Sequence, residues 1–182
     1  MLFVIIIVGT LLALFVFRLI FFCGPIAEHV SEPPEGILDM HCHTAGIGAG
    51  GSEAWISDEL RKSWKFGLYL KVFGSNENEV NEEGDQILME VIASSVRDSV
   101  HVDGAVILAM DAPYNDDGEI DKGSGEVCVP NRFVGEKVKL YPELHFGSSV
   151  HPNRSDALEE LIWSKENGAV LVKWLPLSLI HI

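Results

Sequence analysis

Cysteine is scarce in this chain. Three cysteines, Cys23, Cys42 and Cys128, are scattered over 182 residues. They form no CxxC pair and no disulfide framework. Basic residues are also few: 13 Lys and Arg stand against 27 Asp and Glu, a formal net charge of -14. Nucleic-acid binding rests on cations that neutralise phosphates, so no nucleic-acid partner is expected. Acids are missing altogether from the first 27 residues, and no Lys or Arg precedes Arg18.

That first stretch, MLFVIIIVGTLLALFVFRLIFF, has Arg18 as its one charge. About 20 apolar residues span a bilayer. A cleaved secretory leader carries a basic start and small residues at the cut. This one has no basic start, and Phe21-Phe22-Cys23-Gly24 makes a poor cleavage site. The expectation is an uncleaved, single-pass transmembrane anchor over residues 1–23, with membrane localisation. One arginine leaves the side of the following domain open. Residues 24–36, with Pro25, Pro33, Pro34, Glu28, Glu32 and Glu35, read as a stiff polar linker.

The rest of the chain is organised around Ile37-Leu38-Asp39-Met40-His41-Cys42-His43-Thr44. It reads as a short buried strand ending in two histidines one residue apart. Strand side chains alternate faces, so Asp39, His41 and His43 are expected on one side, with Met40 and Cys42 on the other. Two imidazoles on one side of a strand end can grip a divalent metal. Cys42, turned away, reads as packing. A glycine-rich loop follows, Ala45 to Gly51.

Further along, Ser57 is placed to cap a helix running to about Phe73 and stopped by Gly74. Trp55, Leu60, Trp64, Leu68 and Val72 recur at helical spacing and are expected to pack in the core. Residues 76–85 read as a solvated turn. Ile87, Leu88, Val91, Ile92, Ser95 and Val96 mark a second helix with one buried face. Gly104 to Met110 is a continuous apolar run, as a doubly covered parallel strand should be, and it ends at Asp111. The acidic loop to Glu126 is spaced like a calcium loop around Gly118, but Pro113 and Ser124 stand where acids are needed. It is read as solvated. Asn131 is expected to cap a helix to about Leu140. Leu144 to Val150 is a third strand, ending at His151-Pro152. Ser155 is expected to cap a helix that buries Leu158, Leu161 and Ile162, with Asp156, Glu159 and Glu160 at its positive end. Ala169 to Val172 is a fourth strand, ending at Lys173-Trp174.

Strands alternate with helices, and polar residues gather just past each strand end. This is an α/β pattern, and in particular that of a (β/α)8 TIM-type barrel. Such a barrel needs about 250 residues, so residues 37–176 are expected to supply only its N-terminal half. The apolar strands around Val106 and Val170 would then be poorly covered, and the chain alone would be inactive. The last six residues, 177–182, back-translate to a transposon-end sequence used in building sequencing libraries. They are expected to be non-native read-through, with His181 not counted as a ligand.

The strand ends DMHCHTAG, SSVHPNRSDALEEL and LVKWLP resemble those of the amidohydrolase superfamily, most closely its amidohydrolase-related group of metal-dependent hydrolases. The resemblance covers roughly Gly36 to Pro176. It implies that His41 and His43 are metal ligands for one or two divalent ions, zinc above all. It implies a site role for Lys173, as a bridging carboxylated lysine or as a substrate contact. His151 ends strand three on the same rim and is a further catalytic candidate. The implied activity is hydrolysis of an amide, ester or lactone bond in a small molecule. Metal-dependent decarboxylation, a phosphoesterase or nuclease, and a non-catalytic membrane-tethered binding domain are the alternatives.

Overall fold

The computed structural model describes residues 2–22 and 36–174, and the chain divides into two units near Pro33. In the first unit, helix α1 spans Leu2–Phe22. Thr10 Oγ1 donates to the Ile6 carbonyl at 2.9 Å, which satisfies a hydroxyl inside a helix. Among the described residues no helix is long and apolar enough to cross a membrane. The expected fold class, half of a TIM-type barrel behind a transmembrane helix, is corrected on this finding. What stands is a mixed α/β fold with a four-stranded parallel sheet. The linker (apart from Gly36) and the tail 177–182 lie outside the described residues.

The second unit runs β1 (Ile37–His43), β2 (Trp55–Ile56), α2 (Asp58–Lys62), α3 (Trp64–Val72), α4 (Glu77–Glu83), α5 (Gln86–Arg97), β3 (Val102–Leu108), β4 (Val127–Cys128), α6 (Asn131–Lys137), β5 (Leu144–Ser149), α7 (Ala157–Glu166) and β6 (Ala169–Lys173). The sheet order is β1-β3-β5-β6, all parallel. Its helix-covered face is the main core: Ala105 and Ile107 from β3, Ala109 just past its end, and Leu144 and Phe146 from β5 meet Met89, Ile92 and Ala93 of α5 and Phe133 and Val134 of α6. Alternation then sends Val106 and Leu108 to the other face, where they are nonetheless buried. Val106 is therefore covered, against expectation, whereas Val170 is exposed. Gly147 makes the close approach there: a Cβ on it would lie 2.6 Å from Leu108 Cδ2, 2.9 Å from Val106 Cγ1 and 3.3 Å from Leu171 Cδ1.

Several local expectations are revised. The helix from Ser57 breaks at Ser63, whose backbone is extended (φ -81, ψ 153). Ser57 does cap α2, accepting from the Leu60 N–H. Residues 76–85 are not a turn: Asn76 and Glu79 form a reciprocal capping box and start α4, which satisfies orphan donors at both positions. Of the expected core stripe, Leu60 is buried and Trp55 half-buried, but the α3 members are not core. α3 buries Phe66 and Leu70 and leaves Trp64 76%, Leu68 47% and Val72 77% exposed. Pro130, not Asn131, occupies the cap position of α6, and Asp156 rather than Ser155 that of α7, with no side-chain cap bond at either. α7 buries polar Glu160 and Ser164, while Leu158 and Ile162 are exposed. The reason is a polar network: Asn131 Nδ2 donates to Glu160 Oε1 (3.1 Å) and to the Ser149 carbonyl (2.8 Å), and Arg132 pairs with Glu160 at 3.3 Å. A buried carboxylate with such partners is worth more at that face than an unpaired one left in the core.

The acidic loop is folded rather than simply solvated. Tyr114 bridges Ile120, Met110 bridges Val129, and β4 pairs antiparallel with β2.

Candidate functional site

The site is made by an irregularity in each edge strand. In β1 the register to β3 runs Asp39↔Ala105, then Cys42↔Ile107 and His43↔Leu108. Three steps on β1 match two on β3, so β1 carries one extra residue between Asp39 and Cys42, offset by the extra residue of β3 between Val102 and Gly104. In β6, Ala169 pairs Phe146 but Leu171 pairs Gly147, so Val170 is likewise extra. Each insertion flips the side chains beyond it to the opposite face. Asp39 shares the phase of core-facing Ala105, and Cys42 that of Ile107, while His43 joins Leu108 on the other side. In the same way Ala169 packs on the helix-side core, whereas Lys173 pairs Ser149 on the face of Gly147.

The expected set of Asp39, His41 and His43 on one face is therefore revised. Asp39 Oδ1 accepts from the His41 backbone N–H at 2.8 Å, a local turn-like contact. Cys42 does pack against the core; burial and then Asp39 push its thiol pKa up.

The two flipped edges meet. Lys173 Nζ lies 3.0 Å from His43 Nε2, and the His41 and His43 rings stand edge to face with centroids 5.0 Å apart. In a flat sheet β1 and β6 would be three spacings apart, about 14 Å. Side chains stand roughly perpendicular to a sheet, so contact between opposite edges requires the sheet to curl with His43 and Lys173 inside the curve. Burial, then Lys173, then His41 pull the His43 imidazole down to about 4. Burial lowers the Lys173 amine as well. Two groups that would both carry positive charge are thus pressed together under conditions that favour their neutral forms. His43 Nδ1 and the neighbouring Thr44 Oγ1 are buried with no hydrogen-bond partner.

The loop after His43 is pinned by a residue the sequence reading passed over. Asp85, fully buried at the start of α5, accepts from Ile47 N–H (2.9 and 3.0 Å), from Gly48 N–H (2.9 Å) and from Ser52 Oγ. Gly46 is the close approach: a Cβ there would sit 2.5 Å from Asp85 Oδ2. The glycine-rich stretch is thereby accounted for as a wrap around a carboxylate.

His151 belongs to a second cluster. Its backbone N–H donates to Asp111 Oδ2 (2.8 Å), its Nδ1 accepts from Asn153 N–H (3.1 Å), and its ring lies 5.6 Å from that of Tyr114. Arg154 Nη1 pairs with Asp111 Oδ1 at 2.9 Å and its guanidinium lies 5.3 Å from the Tyr114 ring. Burial raises the Asp111 carboxyl against the pull of the His151 N–H and Arg154, and burial and then Asp111 push the Tyr114 phenol up to about 12. Of these residues, Tyr114 went unread, and Arg154 was read only as part of the strand-end stretch SSVHPNRSDALEEL without a role. The signal available was Asp111 ending an apolar strand two residues after Ala109; nothing local marks its partner Arg154, 43 residues on.

No family model, no curated protein and no solved structure matches this chain.

Proposed function

We propose that the chain acts as a metal-dependent hydrolase of the amidohydrolase type, with His41 and His43 holding a divalent ion, zinc in the first instance, and Lys173 contacting the substrate. The observation that carries the reading is the 3.0 Å approach of Lys173 Nζ to His43 Nε2 from opposite sheet edges. Nothing in hydrophobic packing requires two basic side chains to be turned toward each other by two strand bulges. Bulges of this kind re-aim side chains beside active sites.

The donor chemistry fits an ion. A metal takes the neutral imidazole, and His43 is neutral across the physiological range with its value held near 4. Its buried, unpartnered Nδ1 is the kind of orphan that calls for a partner. Two imidazoles are one donor short of the usual three protein ligands of a catalytic zinc; among the described residues no group of three or more His, Cys, Asp or Glu is close enough to hold an ion. Lys173 Nζ is the further nitrogen in the group. When bound, such an ion acidifies water and polarises the oxygen of the bond under attack.

The chain's own part is positional. His41 and His43 orient the ion, Lys173 donates a hydrogen bond to a substrate oxygen, and apolar Leu108 and Leu171 keep bulk water from the inner face. The acidic surface favours a small amide, ester or lactone over a phosphodiester polymer. The resemblance of the three strand ends to the amidohydrolase group supports the same choice.

Elemental analysis of the purified chain and of a His41→Ala/His43→Ala variant tests it. Bound transition metal in the first and none in the second is expected; equal metal in both would sink the assignment.

A further inference from the structure

The outer face of α3 is out of keeping with the rest of the molecule. At 100° per residue, Trp64, Leu68 and Val72 form one stripe, and all three are exposed, as is Tyr69 beside them. The opposite side, Phe66 and Leu70, is the buried one and packs with Val80 and Leu88. The exposed stripe is thus not a core face left uncovered by a short helix: α3 has a core face and carries a second apolar arc in addition. Large exposed apolar residues occurring together mark an interaction surface.

The charge around it narrows the partner. Residues 60–76 contain Arg61, Lys62, Lys65 and Lys71 and no acid, a local charge of +4 in a chain of net charge -14. Arg61 is paired with Glu77 and Lys62 with Asp58. Lys65 and Lys71 have no ion pair among the described residues, and by helical geometry they flank the stripe on either side. A tryptophan and a tyrosine, aliphatic side chains between them, and a lysine at each margin of the apolar arc form the composition of an interfacial helix. Aromatic rings sit at the headgroup level, and lysines snorkel to anionic headgroups. A copy of the same face would meet it with like charge, which disfavours pairing of α3 with itself.

We infer that α3 docks on an anionic lipid surface, with Trp64, Leu68 and Val72 entering the headgroup boundary and Lys65 and Lys71 meeting the lipid charge. This needs no membrane-spanning segment and is independent of the hydrolase reading.

The test reads Trp64 itself, so that any lipid affinity of the N-terminal helix, common to every variant, cancels. The full chain is mixed with vesicles of brominated phosphatidylcholine, with and without phosphatidylserine, and tryptophan quenching is measured for wild type, Trp64→Phe and Lys65→Gln/Lys71→Gln. The difference between wild type and Trp64→Phe isolates the emission of Trp64. Quenching of that component on phosphatidylserine vesicles is expected. Removal of both lysines should weaken its docking equilibrium about thirtyfold, at about fivefold per lysine near an anionic surface. The inference is overturned if the Trp64 component is unquenched, if its quenching does not depend on phosphatidylserine or on the two lysines, or if Trp64 becomes buried with rising protein concentration in the absence of lipid, which would assign the face to a protein partner.

Discussion

Replacement of Asp85 by alanine tests the account of the loop that follows the two histidines. The carboxylate is fully buried and takes hydrogen bonds from Ile47 N–H, Gly48 N–H and Ser52 Oγ. Hydrogen bonds to a charged group contribute about 1.5–3 kcal/mol each, and a donor left buried without a partner costs about 1–3 kcal/mol. Gly48 is exposed, so its N–H recovers a water bond on loss of Asp85. Ser52 is buried and Ile47 half-buried, and their donors recover little. Two orphaned donors put the cost of Asp85→Ala at about 3 kcal/mol, a large share of the about 5–15 kcal/mol that holds a typical domain together. Asp85→Asn keeps one acceptor oxygen and should cost about half as much. Urea unfolding followed by tryptophan fluorescence measures both variants. Amide exchange at Ile47 and Gly48 should accelerate in Asp85→Ala before global unfolding, because the wrap is lost first. A loss below about 1 kcal/mol with unchanged exchange would mean that the carboxylate does not hold the loop.

Two further outcomes concern the paired bases. Followed by NMR, the His43 ring should titrate near 4, and Lys173→Met should raise that midpoint while leaving it under 6.5, because burial is the larger cause and Lys173 the second; a midpoint that ignores the substitution would refute their contact. The sign for stability follows from the lowered value: the unfolded chain binds a proton at His43 in the window between pH 6.5 and about 4 and the folded chain does not, so stability is full above 6.5 and falls as pH drops toward 4. His43→Asn should flatten that part of the profile in acid-unfolding curves. Lys173→Ala should leave the metal content of the chain intact if the amine meets substrate, whereas reduced stoichiometry would make Lys173 a ligand.

The parts of this protein that its sequence determined unaided are those decided by neighbours in the chain. The parallel strands were legible because each has a short apolar stretch bounded by turn signals, and Gly104 to Ala109 needed no context to read as buried; β1, also read as buried, is mostly exposed because it stands at the sheet edge. Ser57 as a cap was legible for the same reason, since its hydroxyl reaches only its own helix. His41 and His43 stood out by spacing alone. The tertiary structure decided which way side chains face. A strand's alternation predicts orientation only while register is kept, and register depends on the partner strand: one extra residue in β1 removes Asp39 from the histidines, and one in β6 turns Lys173 toward His43. The same holds for helices. The pattern Trp64, Leu68, Val72 is as apolar as a core stripe, and Leu158 and Ile162 are as apolar as any on α7, but a helix buries the face its neighbours complete. For α3 that face is Phe66 and Leu70 against Val80 and Leu88; for α7 it is Glu160, because Asn131 and Arg132 of α6 supply its hydrogen bonds. Asp85 and Ile47 lie 38 residues apart, and no local signal carries across that distance. Only the folded chain brings the carboxylate to the loop it holds.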